Sequence, residues 1–139
     1  MADLEKSTRF YCEGLGFQVV SEQTYSSIEG DPGIAIDGGG QDMRFVVRTL
    51  SGHGLTLNFN HPQVISKPLR RAEDQYGFSN WAFSVDSLEE SIEHLCKLGG
   101  REKPNSRHDV KVGETMTRTA ICFDPDGENV ELIEVSVKC

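Results

Sequence analysis

Glu131 is the residue on which most chemistry would turn. It lies in Asn129-Val130-Glu131-Leu132-Ile133-Glu134-Val135, whose alternation reads as a strand. Every second side chain of a strand shares a face, so Asn129, Glu131 and Ile133 point one way. The same rule groups Thr56 with Asn58 in Leu55-Thr56-Leu57-Asn58-Phe59, and Asn80 with Ala82 and Ser84 in the run 78–85. If these rows line one pocket, it is polar, small-sided and uncharged except for Glu131. Such a surface suits hydrogen bonding to a carbonyl- or hydroxyl-bearing ligand. A partly desolvated carboxylate binds a proton more readily than one in water and can act as a general base near neutral pH. Asn80 would orient it or polarise the substrate carbonyl. The chemistry is then proton abstraction beside a carbonyl, as in isomerisation, epimerisation, cyclisation or elimination. The competing reading makes Glu131 a hydrogen-bonded, inert carboxylate. Glu134 faces away from Glu131 and reads as solvated.

Other chemistry-bearing residues read more plainly. His53 lies in a turn between glycines, His94 on the wet face of a helix, and His108 in the polar loop Ser106-Arg107-His108-Asp109. His61 ends a strand and is the histidine to watch. No pair of the four has a zinc-site spacing. Cys12, Cys96, Cys122 and Cys139 form no CxxC pair, which favours reduced thiols over a metal knuckle. No activating base is evident for a nucleophilic cysteine. Arg44 and Arg48 are four apart on one predicted strand, so they share a face. Together they can anchor an anion or simply line a solvated surface. Trp81, opposite in pleat to Asn80, is expected under a helix.

The chain of 139 residues has room for one domain with a core. Its 37% hydrophobic and 26% charged residues give a globular balance. The net charge of −8 argues against nucleic acid and anionic membranes as partners. No apolar run approaches the roughly 20 residues of a membrane span. The opening Met1-Ala2-Asp3-Leu4-Glu5-Lys6 has no leader-like apolar stretch, so a cytoplasmic location is expected.

Two helices position these residues. In the segment 86–98, Ser87 and Glu90 form a capping-box pattern and Leu88, Ile92 and Leu95 an apolar stripe; Gly99-Gly100 ends it. The segment 3–13 has Asp3 to cap, Phe10 and Tyr11 on its apolar face, and Gly14 or Gly16 to stop it. Leu4-Glu5-Lys6-Ser7 matches Leu88-Glu89-Glu90-Ser91 at an offset of 84, and Gly16 matches Gly100 at the same offset. Such self-similarity points to an internal repeat. Predicted strands follow each helix, at about 17–25, 42–50 and 54–60, then 101–104, 115–123 and 128–137. Turns fall at Ser51-Gly52-His53-Gly54 and Asp124-Pro125-Asp126-Gly127, and a long loop at about 26–41. The second half also opens with a strand, at 78–85. Its counterpart in the first half would be numbered below 2. The expected plan is α+β, with two tandem βαβββ modules, the first lacking most of its opening strand. Module one is 1–60, the linker 61–76 and module two 77–139.

Three stretches carry a resemblance. They are Asp3-Leu4-Glu5-Lys6-Ser7 with Phe10-Tyr11 and Gly14-Leu15-Gly16-Phe17; Gly77-Phe78-Ser79-Asn80-Trp81-Ala82-Phe83-Ser84-Val85-Asp86; and Phe123-Asp124-Pro125-Asp126-Gly127-Glu128-Asn129-Val130-Glu131-Leu132. Together they resemble the vicinal-oxygen-chelate superfamily of glyoxalases, bleomycin-resistance proteins and dioxygenases, over nearly the whole chain. The resemblance implies a half-open barrel around a pocket. Metal-using members place four ligands there, from the first and last strand of each module. Carried over residue by residue, the first ligand has no match. The second falls on Thr56, the third on Asn80 and the fourth on Glu131. Only Glu131 is a family-type ligand, and hydroxyl and amide groups hold a transition metal poorly. No resident cofactor is therefore expected, with a divalent metal as the alternative.

The reading that results is a glyoxalase-like, metal-independent lyase or isomerase acting on a small oxygenated metabolite. Its catalytic residues are Glu131 and Asn80; Thr56, Asn58, Ser84 and Asn129 complete the ligand contacts. One alternative is a non-catalytic binder of the bleomycin-resistance type, which suits the acidic charge but not the 8% aromatic content. A second is a metal-dependent glyoxalase or dioxygenase with a non-standard site. A homodimer is expected, because a module without its opening strand leaves backbone groups for a partner to cover.

Overall fold

A computed structural model describes residues 3–65 and 81–137. The chain divides into two compact units, Met1–Gln75 and Tyr76–Cys139. Both are α+β.

The first unit begins with helix α1, Leu4–Arg9, which Asp3 caps by accepting a hydrogen bond from Lys6 N–H at 2.9 Å. A π-helical turn, Phe10–Gly14, continues it. The wider turn lets two successive rings, Phe10 and Tyr11, point inward, at 0% and 1% exposure. Strands β1 (Gln18–Ser26), β2 (Ile34–Ala35), β3 (Met43–Gly52) and β4 (Leu55–Ile65) follow. Their order is β2-β1-β3-β4, with β2 parallel to β1 and the other pairs antiparallel. Tyr11 meets Phe59 edge-on at 5.0 Å, and Phe17, Leu50 and Leu57 complete this core. His53 and Gly54, both at positive φ, close the β3–β4 hairpin in two residues. The predicted strands are all present. The loop at 26–41 contains the short β2, and β4 runs to Ile65, into the stretch read as linker. Pro62 is tolerated within β4 because, among the described residues, β4 is an edge strand, beside a shift of register at Arg44/Phe45.

The second unit holds β5 (Trp81–Ser84), α2 (Leu88–Lys97), β6 (Arg101–Glu102), β7 (His108–Val112), β8 (Thr115–Phe123) and β9 (Asn129–Val137). Their order is β5-β9-β8-β6, with β7 also pairing β8. Strand β5 is parallel to β9, and the other pairs are antiparallel. Helix α2 packs on β6, β8 and β9. Leu88, Ile92 and Leu95 meet Ala120, Cys122, Val130 and Leu132, the last four at 0% exposure. Gly99, at φ 94°, ends the helix. Its N–H reaches Cys96 O and that of Gly100 reaches Leu95 O, both of which satisfy terminal carbonyls.

Two sequence expectations are corrected here. His108 opens strand β7 instead of lying in a loop. Glu134 is not simply solvated: its carboxylate accepts from Leu88 N–H at 2.6 Å and supplies a second cap to α2 beside Ser87.

Candidate functional site

Each sheet has one face against its helix and one face away from it. In the second unit, register fixes which residues share the helix-free face. Ala82 lies beside Glu131, and Ser84 beside Ile133. Across β9, Glu131 lies beside Ile121, Asn129 beside Phe123 and Ile133 beside Thr119. The alternation from sequence therefore holds: Ser84, Asn129 and Glu131 share this face with Ala82 and Ile133. Glu131 and Asn129 are half-buried, and Ser84 is exposed. Among the described strand residues on this face, Glu131 is the one carboxylate. Small Ala82 lies on one side of it and apolar Ile121 on the other. Asn80 lies outside the described residues. Trp81 lies beside buried Val130, on the helix side as expected.

In the first unit, Thr56 lies beside Ser51 and Asn58 beside Thr49, on the face away from α1. Both are exposed, and Thr49 Oγ1 donates to Asn58 Oδ1 at 2.9 Å. Tyr25 and Phe45 stack on the same face, with centroids 5.6 Å apart. Thr56 and Asn58 thus belong to one unit, and Ser84, Asn129 and Glu131 to the other.

Other candidates face the helix side. His61 lies beside Val46, opposite in pleat to Asn58 and Asn60. It lines a cleft of about 450 Å³ with Asp3, Glu5, Glu22 and Gln63. It therefore does not join Thr56 and Asn58. Arg44 and Arg48 do share a face, but acidic partners occupy them. Arg44 makes a two-pronged contact with Asp31 at 2.6 and 2.7 Å. Arg48 reaches Glu5 and Glu22, each at 2.8 Å, and Thr8 Oγ1 at 2.9 Å. Its carboxylate partners push the Arg48 pKa up against a smaller, opposing effect of burial.

Three residues on the second unit's helix-free face escaped the sequence reading. Arg101 lies beside Phe123, with its guanidinium carbon 5.2 Å from the ring centroid. Lys103 Nζ is 5.8 Å from the same centroid. The signal was faint because β6 spans two residues, too few for a visible alternation.

The family positions fit a tightly held divalent metal poorly. Among the described residues, no three His, Cys, Asp or Glu side chains gather as a metal site. Thr56 offers an exposed hydroxyl, and Glu131 offers a carboxylate in the other unit.

Residues 1–132 match the family described as the Glyoxalase/Bleomycin resistance protein/Dioxygenase superfamily. The uncharacterized protein YwkD of Bacillus subtilis is 30% identical over 133 residues, covering 96% of this chain and 89% of that protein. A probable lactoylglutathione lyase of Synechocystis is 27% identical over 140 residues, covering 99% of this chain and 92% of that protein. In fold, the chain is similar to the crystal structure of a glyoxalase family protein from Enterococcus faecalis. That match has a TM-score of 0.62 and 22% identity, covering 95% of this chain and 89% of that one. No described helix is long and apolar enough to cross a membrane. The chain belongs to the Glyoxalase/Bleomycin resistance protein/Dioxygenase superfamily.

Proposed function

We propose that the protein is a metal-independent lyase or isomerase in which Glu131 is the general base. The observation that carries this reading is the placement of Glu131. It is the single carboxylate among the described residues of the helix-free face of β5-β9-β8, half-buried between Ala82 and Ile121. Its carboxylate takes a proton from carbon beside a substrate carbonyl. The C–H pair becomes the enolate, whose charge rests on the carbonyl oxygen. Returning the proton to carbon completes an isomerisation or epimerisation; expelling a neighbouring leaving group completes an elimination. Asn129 and Ser84, on the same face, hydrogen-bond the substrate oxygens. Asn80 is proposed to polarise the carbonyl, and Thr56 and Asn58 to contribute ligand contacts. The name of the Synechocystis relative supports a thioester or 2-hydroxy-carbonyl substrate. A homodimer of cytoplasmic location and a small-molecule ligand belong to the same proposal.

The test is solvent exchange. The protein is incubated in D₂O, with and without EDTA, with either S-lactoylglutathione or hydroxyacetone, and loss of the C–H signal is followed by NMR. The expected result is exchange by the wild type that slows at least about 100-fold in Glu131→Gln, the usual contribution of a positioned base. Unchanged melting of the variant confirms that it folds. Equal exchange by the variant overturns the role of Glu131, and exchange abolished by EDTA overturns metal independence. Ligand binding without exchange by the wild type favours the capture reading.

A further inference from the structure

We propose that Arg101, seated beside Lys103 on the Phe123 ring, forms an anion-binding subsite that holds a carboxylate or phosphate group of the ligand on which Glu131 acts. The inference rests on the proposed ligand face but adds a substrate class, an anionic metabolite.

Three observations carry it. The first is position. Register sets Arg101, Phe123 and Asn129 in one row across β6, β8 and β9. Lys103 N–H donates to Ile121 O, and Ile121 lies beside Glu131, which makes the next row Lys103, Ile121 and Glu131. Both cations thus share the face of Glu131. They stand two strand spacings away, about 10 Å. A small metabolite can span that gap, with its anionic end on Arg101 and its acidic C–H at the base.

The second is pairing. Arg9, Arg44, Arg48, Arg107 and Arg118 each have a carboxylate within ion-pair distance. Arg101 has none among the described residues; its contact is the aromatic ring. In a chain of net charge −8, an arginine left without a carboxylate leaves its guanidinium N–H groups for another anion.

The third is the ring itself. A cation over an aromatic face keeps its charge and is held in place with less lost side-chain freedom when an anion arrives. Phe123 is half-buried and anchored by the turn that follows it. There Asp124 Oδ1 accepts from Asp126 N–H at 2.8 Å and Glu128 N–H at 2.9 Å.

The experiment titrates isotope-labelled protein with succinate, inorganic phosphate and neutral succinamide at constant ionic strength. Arginine Nε–H and Phe ring signals are followed by NMR. Saturable shifts at Arg101 and Phe123 with succinate or phosphate, absent with succinamide, are expected. Arg101→Gln should weaken that binding at least tenfold, whereas Arg9→Gln should leave it unchanged. The tighter of the two anions identifies the ligand group as carboxylate or phosphate. Shifts spread evenly over all arginines, or an Arg101→Gln variant that binds as before, would overturn the subsite. Glu131→Gln separates the two proposals. If it keeps full proton exchange while succinate still saturates Arg101, the base assignment fails and the subsite stands. If exchange depends on Glu131 but no anion saturates Arg101, the subsite fails alone.

Discussion

Asp31 is bound by three side-chain hydrogen bonds, two from Arg44 and one from Ser26 at 2.8 Å. The Arg44 hydrogen bonds are the main cause that holds its pKa below the usual carboxylate value. A carboxylate with a depressed folded-state pKa stabilises the fold above its unfolded pKa, near 3.9. That stabilisation is lost as pH falls through the folded value. Asp31→Asn should therefore lower stability at neutral pH and flatten its loss below about pH 4. Urea melts at pH 7 and pH 3 would show this; an unchanged acid limb would contradict it. Cys122 makes a second prediction. Burial pushes its thiol up to about 12, whereas Cys96 is exposed. Iodoacetamide at pH 8 should label Cys96 in the native protein and spare Cys122 until denaturant is added. Peptide mass spectrometry that finds equal labelling rates would refute this. Single residues were legible where pleat alone decides direction, as for Glu131, Asn129, Ser84 and Trp81. They were not legible where the answer depends on a distant partner. Arg44 and Arg48 share a face as alternation requires, but only the fold brings Asp31, Glu5 and Glu22 to them. The same holds for Glu134, whose cap on Leu88 joins residues 46 apart.

At the scale of elements, α2 shows how local signals fix a boundary. The predicted helix, 86–98, is observed as Leu88–Lys97 because Ser87 and Gly99 act at its ends as their types demand. Two separate N–H groups are capped: Glu90 by Ser87 at 3.3 Å and Leu88 by Glu134. Ser87→Ala and Glu134→Ala should each cost about 1 kcal/mol, in line with other lost caps. The double variant should approach the sum, because the two caps serve different donors. Urea denaturation with an unchanged slope would measure it, and changes within about 0.5 kcal/mol would mean that the caps are idle. Strand β7 escaped the sequence for the opposite reason. All five of its residues are exposed, so no face is buried to impose a period of two. The π-helical turn escaped because Phe10-Tyr11 has the same composition in either helix type. Only the burial of both neighbouring rings separates them.

At the scale of the molecule, the repeat was readable because both modules begin a helix with the same four-residue pattern and close it with glycine. The helix-free faces were readable only in part, since register decides which strands' rows align and register is set by pairing across many residues. One such edge bears on assembly. In the second unit β5 covers the outer edge of β9. In the first, β4 ends the sheet, and no strand pairs with its outer edge among the described residues. Unpaired N–H and C=O groups along an edge invite a further strand, and Pro62 blunts only one position of it. The proposed homodimer satisfies those groups with a second copy. Sedimentation equilibrium should then find about twice the 15.4 kDa chain mass at micromolar concentration. The dimer should fall apart when proline replaces whichever of the neighbours Asn60 and His61 directs its backbone N–H outward from β3. A chain that stays monomeric at high concentration would remove the second copy from the proposal and leave the base and the anion subsite as properties of a single chain.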